Sequence, residues 1–180
     1  MTIDELDGLP GPLAGEALAR CCGARRWVEA MLAARPFRSR GALLEAADRA
    51  DRALAREDWI EAFAHHPRIG ELDALRARFA GTAEWAGAEQ RGAAVASEET
   101  LAALARGNHA YERRFGYLFI VCATGLSAGE MLARLQARLG HDPAQELAVA
   151  AGEQAKITRL RLEKLLALPP AARGAARKMP

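Results

Sequence analysis

The chain is short of cysteine, of aromatic residues and of net charge, and each shortage removes a class of answers. Three cysteines, two of them adjacent at Cys21 and Cys22, cannot build a disulfide framework and fit a reducing compartment. None of the three stands at a spacing from histidine that makes a zinc site, so no metal is expected. A net charge of +2, with 25 basic residues scattered among 23 acidic ones, leaves no electrostatic footprint for nucleic acid. The one basic cluster, Arg173 to Lys178, sits at the very end. The longest apolar run, Leu118 to Ala123, is far too short to span a bilayer. Met1-Thr2-Ile3-Asp4-Glu5 is acidic without a signal-like run, and Lys178-Met179-Pro180 is not a peroxisomal address. The expectation is a soluble cytoplasmic protein with neither a nucleic-acid nor a membrane partner.

Strand pattern is scarce too. Phe119-Ile120-Val121-Cys122 has strand-like composition, but one such run without a partner makes no sheet. What is present is helical period. Helices are expected at about 12–22, 25–34, 40–54, 56–65, 71–79, 84–94, 98–115, 127–139 and 142–167. Ser97 before Glu98-Glu99, Ser127, and Asp142 before Pro143 are start signals. Gly116, Gly125 and Gly140 are stop or turn signals. A chain of 180 residues, 51% of them hydrophobic, can bury its core as one domain. The predicted fold is therefore all-α, a single-domain helical bundle of about eight or nine helices over residues 1–168. Residues 169–180, beginning at Pro169-Pro170, are expected to form a disordered tail.

Against this background a few residues are out of place. In His65-His66-Pro67-Arg68-Ile69-Gly70, Pro67 disfavours helical angles at the residue before it, so a helix carrying Trp59, Ile60 and Phe63 must stop near His65 or His66. An imidazole at a helix C-terminus is positioned and titratable near neutral pH; equally, it can be a plain cap. The adjacent pair points in different directions with no carboxylate at convergent spacing, which argues against a metal. Arg161 has Ile157 and Leu165 four residues to either side, so it lies on or beside an apolar stripe, whereas Lys156, Arg159 and Glu163 face water. From position alone, snorkelling at the core edge is the ordinary reading. Asn108, between Leu104 and Tyr111 on the apolar face of its helix, reads as an amide tying down a neighbouring loop. His109 and His141 read as surface residues. Glu89-Gln90, in an alanine- and glycine-rich helix, reads by itself as a solvated face.

Four blocks in order, Ala34-Arg35-Pro36-Phe37, His66-Pro67 with Gly70, Trp85 to Gln90, and Phe115 to Ala123, followed by Lys156 to Leu162, resemble the 2-oxo-4-hydroxy-4-carboxy-5-ureidoimidazoline (OHCU) decarboxylases of urate breakdown. The resemblance covers about Trp27 to Leu166. It implies an enzyme that removes the carboxylate of OHCU and protonates the carbanion on one face, giving (S)-allantoin, with no cofactor, and working as a homodimer. It implies His66, Glu89 and Arg161 as catalytic residues, and Pro67, Gln90 and the Phe119, Ile120 and Val121 backbone as substrate-binding. His66 suits the general acid/base role because an imidazole titrates nearest working pH. Glu89 either orients or shares a proton with that imidazole, or accepts from the ureido N–H groups. Arg161 offers a planar, permanently charged fork. A short extended strand at Phe119 to Val121 would expose N–H and C=O groups to the ring amides. His65 is one position off the family's His-Pro dipeptide and falls behind the site or in solvent. The chain departs from many relatives at Ala86, where they carry a hydroxyl residue, so a substrate hydrogen bond is missing or replaced. Two other readings stand beside this one: a lyase or hydrolase on a related ureido acid, and a non-enzymatic helical module that binds a ligand or partner.

Overall fold

A computed structural model describes residues 1–66, 75–76 and 97–167. They hold eight helices and no strand: α1 (Ile3–Gly8), α2 (Gly11–Ala19), α3 (Arg25–Ala33), α4 (Arg40–Arg52), α5 (Arg56–Ala64), α6 (Glu98–Phe115), α7 (Ala128–Arg138) and α8 (Pro143–Ala167). The expected all-α class and most helix boundaries hold to within a few residues. The expected helices at 71–79 and 84–94 lie outside the described residues except for Leu75 and Arg76, which are helical. The expected tail also lies outside them. Helical period predicts no helix before residue 12, yet α1 exists. Its six residues are too few to show a period, and what starts it is a reciprocal capping box between Thr2 and Glu5.

The chain forms two compact units, Met1–Ala62 with Ala155–Pro180, and Phe63–Gln154. In the first, α2 packs on α3 and α3 on α4. Leu6, Leu18, Trp27, Met31, Leu43 and Leu162 are wholly buried there, each such side chain contributing about 1.5–3 kcal/mol. The block Ala34 to Phe37 works as a clamp: the Arg35 guanidinium donates to the carbonyls of Leu6, Asp7 and Leu9 at the end of α1. In return, the Asp7 carboxylate accepts from the backbone N–H groups of Phe37 and Arg38 at 2.9 Å. Orphan carbonyls at a helix end are thus paired by a cation, which their partial negative charge favours.

In the second unit α6 packs on α7. The contact is close because a Cβ on Gly107 would meet Leu135 Cδ2 at 2.6 Å. Ser97 caps α6 by accepting from the Thr100 N–H, and Gly116, at φ 80°, ends it in the left-handed region that costs glycine nothing. Ser127 and Glu130 form a second capping box at α7. Asp142 starts α8, its Oδ1 accepting from the N–H groups of Ala144 and Gln145, with Pro143 as the first helical residue.

Candidate functional site

The candidate residues divide between the units. His66, Phe119, Ile120 and Val121 belong to Phe63–Gln154, and Arg161 belongs to the other unit. Pro67, Ala86, Glu89 and Gln90 lie outside the described residues.

Helix α5 stops at Ala64, as Pro67 requires, and the His66 N–H donates to the Phe63 carbonyl at 3.1 Å. Phe63 is wholly buried and packs on the Tyr117 ring at 5.1 Å, which fixes the turn that presents the histidine. His65 is exposed and His66 half-buried. The His66 Nε2 meets Gln154 Oε1 at 2.6 Å, and Gln154, on α8, is wholly buried. With the amide oxygen accepting, the ring carries a proton on Nε2, so one tautomer of the neutral imidazole is selected and its plane is held. A mere capping histidine needs no such partner.

Residues 118–123 belong to no helix and to no paired strand among the described residues, as a single strand-like run without a partner must. Instead of a ladder, buried side chains take two of the segment's backbone groups. Ile120 is buried, and its carbonyl accepts from Arg138 Nη1 at 2.7 Å. The Cys122 N–H donates to Glu153 Oε2 at 2.7 Å. Arg138, only 6% exposed, lies over the Phe119 ring at 4.6 Å and donates through Nε to Glu146 Oε1 at 2.8 Å. The wholly buried Glu146 also accepts from the Tyr111 hydroxyl and meets His141 Nδ1 at 2.8 Å. Burial and the bond to Glu146 raise the Tyr111 pKa far above its ordinary value, so the phenol stays protonated as a donor. His141 is therefore not simply a surface residue: its side chain is 24% exposed and anchored on a buried carboxylate. Among the described residues the Asn108 Nδ2 donates to the Leu104 carbonyl of its own helix at 2.9 Å rather than to a neighbouring loop.

In the other unit Arg161 is half-buried and donates through Nη1 to the Cys21 carbonyl at 3.3 Å. Burial pushes the Cys21 and Cys22 thiols up to about 11, against the opposing pull of the Arg161 charge. That shift favours the neutral thiol over the thiolate nucleophile. Lys156 and Arg159 are exposed; Glu163, on the same face, is half-buried and pairs with Arg40 at 2.9 Å. Among the described residues no group of three or more His, Cys, Asp or Glu is placed to hold a metal ion, and no helix is long and apolar enough to cross a membrane.

Sequence reasoning missed Arg138, Glu146, Glu153 and Gln154. The signal was available for all four. Arg138 follows Met131 and Leu135 by seven and three residues on the buried stripe of α7. Glu146, Ala150, Glu153, Gln154 and Thr158 run along α8 at spacings of three and four and are all buried.

Residues 8–163 match the family model described as OHCU decarboxylase. The chain is 38% identical over 148 residues to the uric acid degradation bifunctional protein TTL of Arabidopsis thaliana, covering 81% of this chain and 45% of that protein. It is 38% identical over 105 residues to a 2-oxo-4-hydroxy-4-carboxy-5-ureidoimidazoline decarboxylase of Amia calva, covering 58% and 59% of the two chains. The chain thus spans about half the length of these two relatives. Against the protein of the same name from Haloferax volcanii it is 31% identical over 137 residues, covering 76% and 79%. Among solved structures, a crystal structure of OHCU decarboxylase in the presence of (S)-allantoin superposes with a TM-score of 0.68 at 32% identity, over 83% of this chain and 96% of that one. A crystal structure of (S)-allantoin synthase, at 20% identity and TM-score 0.68, shares the fold, over 92% of this chain and 54% of that one.

Proposed function

The chain belongs to the OHCU decarboxylase family, and we propose that it converts OHCU to (S)-allantoin in urate degradation. The observation that carries the reading is the continuous match of residues 8–163 to that family. The His66–Gln154 contact of 2.6 Å adds to it, because a buried amide that holds an imidazole in place is what a positioned acid/base requires.

In the proposed reaction the bond between the ring carbon and the carboxylate breaks, carbon dioxide leaves, and the electron pair delocalises into the conjugated imidazoline ring. A proton delivered to one face of that carbon completes (S)-allantoin. The ring is its own electron sink, so the chemistry needs no cofactor, and the protein's task is orientation and charge stabilisation. We assign proton transfer to His66, with Glu89 either sharing that proton or accepting from the ureido N–H groups. Arg161 binds substrate oxygens through its fork. Pro67, Gln90 and the backbone of Phe119, Ile120 and Val121 contribute the remaining substrate contacts. A homodimeric working form and a cytoplasmic location complete the proposal.

The test is to supply freshly generated OHCU to the chelator-treated protein and follow the circular dichroism of allantoin as it appears. His66→Asn keeps a similar volume at the helix end but gives up the bond to Gln154, so stability should fall by only about 1–3 kcal/mol while the rate falls about a hundredfold. His65→Asn should cost far less. Arg161→Lys keeps the charge but loses the fork and should impair turnover or binding. No dichroic signal from the parent sinks the decarboxylase reading; an inactive His65→Asn beside an active His66→Asn moves the acid/base role to the other histidine.

A further inference from the structure

We propose that Arg138 and Glu153 are positioning residues that aim the N–H and C=O of Val121 at the substrate ring. The inference rests on the reading above that the Phe119 to Val121 backbone binds OHCU.

Arg138 Nη1 fixes the Ile120 carbonyl at 2.7 Å, and Glu153 Oε2 fixes the Cys122 N–H at 2.7 Å. Both peptides flanking Val121 are trans, and in a planar trans peptide the C=O and N–H point in opposite directions. Holding the Ile120 carbonyl therefore sets the direction of the Val121 N–H. Holding the Cys122 N–H sets the direction of the Val121 carbonyl in the same way. Two buried charged side chains thus orient one donor and one acceptor on a single residue, the complement of a cyclic amide edge.

Irregular backbone lacks the ladder that would hold such groups in a sheet, so something else must fix them. Satisfying two backbone groups could be done by neutral partners. Here they are held by a guanidinium and a carboxylate, whose charge-assisted bonds are shorter and more directional. The arrangement extends further: Arg138 stacks over Phe119 at 4.6 Å, and its charge is balanced by the wholly buried Glu146, which Tyr111 and His141 hold in turn. A buried ion pair adds little net stability over a hydrophobic replacement of the same shape. Orientation of the 120–122 backbone accounts for what stability does not.

The test is steady-state kinetics of the full chain with OHCU. Arg138→Lys keeps a cation for Glu146 but cannot reach Glu146 and the Ile120 carbonyl together. Glu153→Ala releases the Cys122 N–H, and Glu153→Gln keeps an acceptor for it. KM should rise about tenfold in Arg138→Lys and Glu153→Ala with kcat nearly unchanged, the mark of lost uniform binding. Glu153→Gln should restore KM to within about twofold of the parent. Leu104→Ala, a core truncation in α6, should lower the thermal midpoint without moving KM. If Arg138→Lys does not fold, the Glu153 pair decides the matter alone. Parent-like KM in Glu153→Ala, with or without a fall in midpoint, overturns the inference and leaves decarboxylation standing. A parent that does not turn over OHCU removes both.

Discussion

The unit built on Trp27 and Leu43 buries hydrocarbon almost throughout, whereas the unit built on Tyr111 and Arg138 buries a carboxylate, a guanidinium and a phenol among its aromatic rings. In the first, Arg161 reaches a backbone carbonyl from a half-buried position, and Arg40–Glu163 lies toward solvent. In the second, Glu146 has no exposure at all and is satisfied by three side chains. An apolar core is held by area and tolerates approximate shapes. A buried polar network tolerates no missing member, because each loss leaves a charge or a donor in a medium that cannot solvate it.

That contrast can be broken by mutation. Glu146→Ala strands the Arg138 cation and should lower stability by about 3–5 kcal/mol, read by denaturant unfolding. Leu18→Ala in the apolar unit should cost about 2–5 kcal/mol by transfer and cavity terms. If Glu146→Ala proves the cheaper of the two by a wide margin, the network is a peripheral feature and the contrast fails.

Asp51 sharpens the comparison, since it is a carboxylic acid of the apolar unit whose titration is displaced. Burial pushes its carboxyl up to about 6, with the Asp48 charge adding and the Trp27 indole N–H opposing. The native state then holds a proton that the unfolded chain releases, so the contribution of Asp51 to stability is greatest below the ordinary carboxylate range and declines as pH rises toward about 6. Asp51→Asn should therefore stabilise the protein at pH 8 by about 1–2 kcal/mol, allowing for screening of a partly exposed group, and change little at pH 4. Thermal midpoints of both forms across that range are the measurement; an equal shift at both pH values would rule out the charge as the cause.

The smallest expected effect lies outside both cores. Ser127→Ala removes the oxygen that accepts from the Glu130 N–H in the α7 capping box and should cost about 1 kcal/mol. A loss as large as that of Glu146→Ala would mean that α7, and not the network, limits the stability of its unit.

The sequence by itself determined the all-helical class, because hydrophobic period is a local property that a helix displays along its own length. Stops just before Pro67 and at Gly116 and starts at Ser97, Ser127 and Asp142 were legible for the same reason: proline, glycine and capping residues act within a few positions. The family blocks named His66, Phe119 to Val121 and Arg161 without saying what holds them. Gln154 beside His66 is separated from it by 88 positions, and Glu153 from Cys122 by 31. No pattern within one helix announces such a partner. A polar residue on an apolar stripe says only that it must be satisfied, as Arg138 and Glu146 were, not by which group. Only the tertiary structure decided that, because pairing of buried charges depends on which elements pack together, and a chain's periodicity specifies each helix's buried face but not its neighbour.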